Sequence, residues 1–234
     1  MLTIKNSYYF SLLVQTLIVI YFIVEVKRTE SQEYILLSNA IDIEFIVNII
    51  EFIGYLIIGF YLNSKVNITA IRYVDWFVTT NMMLITLSFF LEFNNIFYEN
   101  IPEAEKKKKL TKHDLNFMKE NYGGTFLRMI IFNIIMLVIG FIGELGYINK
   151  YISLILGLLF FGLSFKEIID NFMGGPVPLI INKLVFGVFI FIWLLYAVAF
   201  LLKFKEKNIA YNLLDLVSKN FFGVFLIYYL KNIQ

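Results

Sequence analysis

Long apolar stretches dominate this chain and constrain its fold more than any other feature. About 20 apolar residues suffice to cross a bilayer as a helix, and backbone polar groups in lipid must be satisfied within the segment itself. Hydrophobic residues make up 59% of the chain and charged residues only 16%, a composition typical of membrane proteins. The pattern predicts a single all-α domain, residues 1–234, with seven spans at about 8–26, 34–62, 69–91, 125–142, 147–163, 179–202 and 209–230.

Lysine and arginine are distributed unevenly between the two sets of loops, and cytoplasmic loops carry the excess. The loops after the first, third and fifth spans, with the C-terminus, contain Lys27, Arg28, Lys106, Lys107, Lys108, Lys109, Lys112, Lys119, Arg128, Lys166, Lys183 and Lys231. The opposite side contains Lys5, Lys65, Lys150, Lys203, Lys205 and Lys207. We therefore expect a multi-pass integral membrane protein surrounded by lipid, with its N-terminus outside and its C-terminus in the cytoplasm.

The connection between the third and fourth spans, about residues 93–124, is long and strongly charged. Pro102, followed by acidic and then basic residues, is typical of a helix start. Leu110, Phe117 and Met118 recur at helical spacing. The pattern predicts a basic amphipathic helix on the cytoplasmic membrane surface, attracted to anionic lipid. The alternative is a flexible, solvated run of charges.

Several functional classes receive no support from the composition. The chain contains no cysteine, so disulfides and thiolate metal sites are excluded. The single histidine, His113, lies in a charged loop, and no metal site is predicted. A net charge of +2 is too small to indicate nucleic-acid binding. We expect the protein not to be an enzyme.

Lys219 lies in the middle of the last apolar span, where a charged side chain is costly and usually functional. Asp215 lies four residues earlier on the same helix face, so a structural ion pair is one interpretation. The other is a desolvated amine that forms a Schiff base with a carbonyl compound. This segment alone favours neither.

Three short motifs occur in the third, sixth and seventh spans. The third span contains RYVDWFVTT at residues 72–80, the sixth contains WLLY at 193–196, and the seventh contains DLVSKNFFG at 215–223. With these motifs in this order, nearly the whole chain resembles the microbial (type I) rhodopsins. The resemblance implies a seven-transmembrane-helix bundle with all-trans retinal bound covalently to Lys219 as a protonated Schiff base.

The resemblance also implies that Asp75 and Asp215 are the paired counterions of this buried cation, because a buried charge needs a partner. Asp75 is then the first proton acceptor. Arg72 lies one turn before Asp75, and we expect it beneath Asp75 on the extracellular side, where it offsets the excess negative charge. Thr79 lies one turn beyond Asp75 and is expected to hydrogen-bond it. A structural salt-bridge cluster is the alternative.

An aromatic pocket for retinal is the next implication of the resemblance. We expect it to be formed by the third, fourth and sixth spans, from Trp76, Thr80, Asn133, Met136, Gly140, Trp193 and Tyr196. The two tryptophans and the tyrosine would pack against the polyene. The fourth-span residues have spacings that resemble the pocket floor around the ring, and ordinary core packing is the alternative for them.

Two positions depart from the pattern of efficient proton pumps in this family. These pumps often carry a carboxylate, as internal proton donor, eleven residues after the acceptor. Here that position is Thr86. The family's usual proline two residues after Thr79 is Asn81, which restores a backbone donor in that helix.

The second span carries two glutamates on one face. Glu44 and Glu51 are two helical turns apart, and ionisable residues on one face of a span indicate the bundle interior or a water-filled path. Asn48 and Asn220 are expected to line the same path. The alternative is an interfacial Glu44 and a hydrogen-bonded core Glu51.

This combination resembles the viral rhodopsins of large algal viruses, some of which are light-gated cation channels. Carboxylate-lined constrictions favour cations, so the sequence favours a light-gated cation channel. One alternative is an outward proton pump that uses Glu44 as donor, with protons transported in place of other cations. Another is a photosensor that docks a partner on the 93–124 connection. The resemblance is also compatible with a homo-oligomer.

Overall fold

The structure, a computed structural model, describes residues 3–25, 32–175 and 179–234. In chain order the elements are α1 Ile4–Glu25, a 3₁₀ turn Gln32–Tyr34, α2 Ile35–Tyr61, α3 Ile68–Phe97, α4 Glu103–Lys112, α5 Leu115–Glu144, α6 Lys150–Phe172, α7 Ile180–Leu201, α8 Phe204–Asp215, a π-helical turn Leu216–Asn220 and α9 Phe221–Ile233. Within the described ranges, seven helical segments are long and apolar enough to cross a membrane: α1, α2, α3, α5, α6, α7 and the segment Phe204–Ile233. The predicted all-α fold with seven spans is confirmed.

Helix α3 is the central element of the bundle. In its most apolar segment 67% of the residues are buried, against 22–33% for α1, α2, α5, α6 and α7. These other helices expose large apolar side chains on their outer faces, as helices in contact with lipid do. Residues that point inward from α3 are therefore surrounded by the other helices, and this is where a buried polar site can form.

The third span extends further than its sequence predicts. Helix α3 continues to Phe97 and α5 begins at Leu115, so the connection between them covers residues 98–114 rather than 93–124. The polar residues after Leu91 look like the end of a span, but Asn94 is fully buried and donates to Asn182 Oδ1 on α7 at 2.8 Å. Satisfied hydrogen bonds allow this polar turn to stay inside the bundle.

Helix α4 occupies the middle of this connection. Acidic residues in its first turn and lysines in its last turn match the helix dipole. Leu110 is buried against the bundle, and Lys109 forms an ion pair with Glu99 at 2.9 Å. Phe117 and Met118 are expected from their spacing to continue this helix, but they belong to α5. The Asp114 carboxylate accepts a hydrogen bond from the Phe117 backbone N–H and so caps the start of α5.

The bundle has two ends, each formed by a different set of connections. We call the end at which α1 begins, with the α2–α3, α5–α6 and α7–α8 connections, the N-terminal face. The end that contains α4 and the last residues of α9 is the C-terminal face. Three residues used in the boundary and orientation predictions, Val26, Lys27 and Arg28, lie outside the described residues.

Candidate functional site

Lys219 lies in the π-helical turn between α8 and α9, at the middle of the last transmembrane segment. Single π-helical turns inside helices occur frequently at functional sites. The lysine is buried, its amine donates to Asp75 Oδ2 at 2.6 Å, and Asp215 Oδ1 lies 3.9 Å away. The nearer partner therefore comes from α3 and not from the lysine's own helix.

Asp215 is held by hydrogen-bond donors from three other helices. Arg72 and the Tyr55 hydroxyl each donate to its Oδ2 at 2.9 Å. The Tyr196 hydroxyl donates to its Oδ1 at 2.8 Å. Arg72 also donates to the Tyr55 hydroxyl and to Asn212 Oδ1. The lysine, the arginine and the two aspartates sum to zero charge when all four are ionised, so the buried group is electrically balanced.

Arg72 and Thr79, the two residues expected to support the counterions, each contact one of the two aspartates. Arg72 pairs with Asp215 and not with Asp75, because its side chain reaches across to α8. The Thr79 hydroxyl donates to the backbone carbonyl of Asp75 at 3.0 Å, the local bond that threonine forms readily within a helix. Asp75 Oδ1 consequently has no hydrogen-bond partner within the described ranges.

A mainly apolar cavity extends from Lys219 between α3, α5, α6 and α7. Its volume is about 130 Å³. Six of the seven residues predicted for the pocket line it, namely Trp76, Thr80, Met136, Gly140, Trp193 and Tyr196. Two rings meet edge to face at one part of the wall, since the centroids of Trp76 and Tyr196 are 5.5 Å apart.

Asn133 is not among the residues that line this cavity. Its amide donates to Thr80 Oγ1 at 2.8 Å and to Asn81 Oδ1 at 2.9 Å. These two polar neighbours on α3 draw the side chain away from the empty space. Asn133 therefore supports the cavity wall through Thr80, and its place in the retinal pocket stays a prediction.

The residues around this cavity fit retinal. A buried amine lies at one end of an apolar space with aromatic walls, and two carboxylates lie beside the amine. An amine in this position can bond covalently to an aldehyde, and the carboxylates supply the charge that a buried cationic nitrogen requires. The indole N–H of Trp76 has no hydrogen-bond partner in the described part of the chain, as suits a wall that faces a hydrocarbon.

The predicted ion-path residues form a buried polar column along one face of α2. Glu51 accepts from Asn220 Nδ2 at 3.1 Å, and the same amide also donates to Asn48 Oδ1. Glu44 is fully buried and accepts a hydrogen bond from Thr86 on α3 at 2.5 Å. Position 86 has a threonine where proton pumps of this family often have a carboxylate, and the Glu44 carboxylate of α2 lies next to this threonine.

Several members of this network were not identified from the sequence. Tyr55 lies four residues after Glu51, so it continues the face of α2 that carries both glutamates, and this spacing could have identified it. Gln15 of α1 donates to Glu51 Oε1 at 3.1 Å, and Asn212 of α8 donates to Ser7 Oγ at 2.8 Å. Their only sequence signal is that a polar residue within an apolar span is costly and needs a partner.

Fold and site together define a seven-helix membrane protein whose last helix carries a buried lysine facing two carboxylates and an apolar cavity. Residues 3–233 match the family described as bacteriorhodopsin-like protein. The chain therefore belongs to this family of microbial rhodopsins. No curated protein sequence matches the chain significantly.

Solved structures share the fold over almost the whole chain. The viral rhodopsin OLPVRII is 24% identical, covers 99% of both chains and has a TM-score of 0.79. A blue light-absorbing proteorhodopsin from Med12 is 18% identical, with 98% of this chain and 97% of that chain covered and a TM-score of 0.72. Bromide-bound halorhodopsin from Halobacterium salinarum is 14% identical, with 98% and 93% covered and a TM-score of 0.71.

Proposed function

We propose that this protein is a light-gated cation channel that carries retinal on Lys219. The observation that supports it best is the buried polar column of α2, which contacts the segment around Lys219. Asn220, the next residue, bonds both Glu51 and Asn48, and Tyr55 bonds Asp215. A polar route beside the attachment point is what a light-controlled pathway requires.

Retinal, when bound, supplies the absorption of light and the isomerisation that follows. The chain's own residues then connect the attachment point to the column. Because Asn220 is covalently adjacent to Lys219, a displacement of the π-helical turn also displaces the amide that bonds Glu51. The Glu51 carboxylate then loses a donor and becomes available to a hydrated cation. Asp75 Oδ2, 2.6 Å from the amine, is placed to take up its proton.

The charge of the column favours cations. Glu44 and Glu51 accept hydrogen bonds from neutral groups, Thr86, Gln15 and Asn220. Both side chains are fully buried, and an unpaired carboxyl in such a place favours its neutral form. Once water enters the column and the carboxyls ionise, they attract cations and repel anions.

The test is whole-cell photocurrent in cells that express the chain with retinal. Glu51→Ala is expected to abolish most of the photocurrent while the coloured pigment still forms. Asp42→Ala is the matched control, because Asp42 is an acidic residue on the exposed face of the same helix, and it should leave the current unchanged. An undiminished current in Glu51→Ala would remove Glu51 from the path.

A light-driven outward proton pump is the second candidate. Two contacts favour it. The 2.6 Å contact between Lys219 and Asp75 suits proton transfer. The contact of Glu44 with Thr86 brings a carboxyl next to the position at which pumps of this family often carry their donor. Current measured against voltage separates the candidates. A channel current reverses sign near the equilibrium potential of a permeant ion, whereas a pump current stays outward at every voltage. If the current is that of a pump, Glu44→Gln should slow the decay of the photocurrent, because it removes the proposed proton donor.

A further inference from the structure

A second buried ion pair lies at the N-terminal face, apart from the Lys219 site. Lys207 of α8 and Glu144, the last residue of α5, approach to 2.6 Å between Nζ and Oε2. Both side chains are only 6% exposed. Removing one partner from such a pair leaves an uncompensated buried charge, which is strongly unfavourable. The two helix ends are therefore held together as long as both charges are present.

The ends of four helices meet at this pair. The Lys207 ammonium lies 5.4 Å from the centroid of the Phe200 ring on α7, and the Lys150 ammonium of α6 lies at the same distance from that ring. Lys150 also donates to the backbone carbonyl of Leu202 at 3.3 Å. Cation–π contacts of this kind add to the attraction when the cation is desolvated. One aromatic ring thus joins α6, α7 and α8 beside the carboxylate of α5.

This cluster is continuous with the wall of the cavity. Phe200 lines the cavity and contacts both lysines, and Tyr211, one turn after Lys207, lines it as well. Ser153 of α6 is a further lining residue, and a Cβ added to Gly143 would lie 2.5 Å from the Ser153 Cβ. The α5–α6 contact next to the ion pair is therefore as close as the backbones permit.

We propose that the Glu144–Lys207 ion pair keeps the N-terminal end of the cavity closed to water. Paired, the two charges hold the ends of α5 and α8 against Phe200. With the Glu144 charge removed, the Lys207 ammonium is buried without its carboxylate and next to the Lys150 ammonium, and water enters to solvate it. The proposal rests on the proposed function only for the identity of the molecule in the cavity, because the contact between Glu144 and Lys207 involves only side chains of this chain.

The chain contains no cysteine, so a single introduced cysteine reports access to the cavity without background. Ser153→Cys places the thiol on the cavity wall. The measurement is its rate of modification by a small, water-soluble methanethiosulfonate reagent, on the full chain in detergent without retinal. With the ion pair intact the rate should be low, and Glu144→Gln should raise it about tenfold or more because an unpaired buried charge is costly.

Two further variants make the result specific. The charge-reversed pair, Glu144→Lys with Lys207→Glu, restores the attraction and should return the rate toward the original value. Lys166→Met is the matched control, since it removes an exposed ion pair with Asp170 near the other end of α6, and it should have no effect.

An unchanged rate in Glu144→Gln overturns the proposal. If Glu144→Gln fails to fold, Glu144→Asp is measured in its place. This variant keeps the negative charge but shortens the side chain, so the contact with Lys207 is lost and the modification rate should rise. An unchanged rate in Glu144→Asp again overturns the proposal. The experiment uses neither retinal nor light. A failed photocurrent test would therefore leave this inference standing, and a failed labelling test would leave the proposed function standing.

Discussion

The two aspartates that face Lys219 have different surroundings, although both are buried. Asp215 accepts hydrogen bonds from Arg72, Tyr55 and Tyr196. Asp75 accepts one from Lys219, and its other oxygen has no partner in the described part of the molecule. The charge on Asp215 is thus stabilised independently of the lysine, whereas the charge on Asp75 depends on it.

This asymmetry predicts the effect of Asp75→Asn on the pigment formed with retinal. The nearest counter-charge of the attachment nitrogen is lost, so the positive charge delocalises along the polyene and absorption should shift to the red. The absorption spectrum measures the shift. Thr79→Val is the comparison, because it removes a hydroxyl that donates to the Asp75 backbone carbonyl but removes no counter-charge. An unshifted spectrum in Asp75→Asn would assign the counterion role to Asp215 alone.

Tyr55→Phe tests the hydrogen bonds around Asp215. The substitution removes the hydroxyl that donates to Asp215 and accepts from Arg72. Asp215 and Arg72, both buried, each lose a hydrogen-bond partner, so we expect the free energy of unfolding to fall by about 1–3 kcal/mol. The melting temperature measures this loss. Tyr147→Phe, at a residue that is 78% exposed, should change little. Equal melting temperatures for the two variants would contradict this account of Tyr55.

At the scale of elements, the approach of α5 to α6 depends on a glycine. Gly143 faces Ser153 so closely that an added methyl group would overlap it, whereas Gly162 of α6 has nothing within 4 Å of an added Cβ. Small residues at such positions let membrane helices approach closely. The Ser153 hydroxyl also donates to the Ile139 backbone carbonyl at 2.7 Å, which fixes the two helices further.

Gly143→Ala should therefore lower stability by about 1–3 kcal/mol, the usual cost of overpacking. The matched variant Gly162→Ala should be neutral or stabilising by up to about 1 kcal/mol, since alanine favours a helix more than glycine does. Melting temperatures of the two variants measure the difference. The same effect in both would show that helix propensity, and not the contact with Ser153, decides the outcome.

At the scale of the whole molecule, the proposed orientation places the N-terminus outside and α4 in the cytoplasm. Lys108 and Lys112 of α4 are exposed, and so is Lys65 in the α2–α3 connection at the opposite face. Trypsin added to sealed inside-out vesicles should therefore cleave at the α4 lysines and spare Lys65. Right-side-out vesicles should give the opposite pattern, and fragment masses distinguish the two. Cleavage of α4 from outside would reverse the orientation.

Much of the fold could be predicted from the sequence, because span length and hydropathy act within one segment at a time. The seven helices and the extended motifs that contain Lys219, Asp75 and Asp215 are local features. Polar residues misled the prediction where burial depends on partners from other helices. The end of α3 is such a case, since buried Asn94 donates to Asn182 of α7 and accepts from the Tyr229 hydroxyl of α9.

Sequence spacing by itself determined which residues share a helix face: Glu44 with Glu51, and Arg72 with Asp75. Only the tertiary structure decided what those faces meet. Arg72 pairs with Asp215, Glu44 reaches Thr86, and Glu144 pairs with Lys207. Each of these partners lies on a different helix, between 42 and 143 residues away in the chain. The physical reason is that helix periodicity is a property of one segment, whereas the choice of partner depends on how the helices pack around α3.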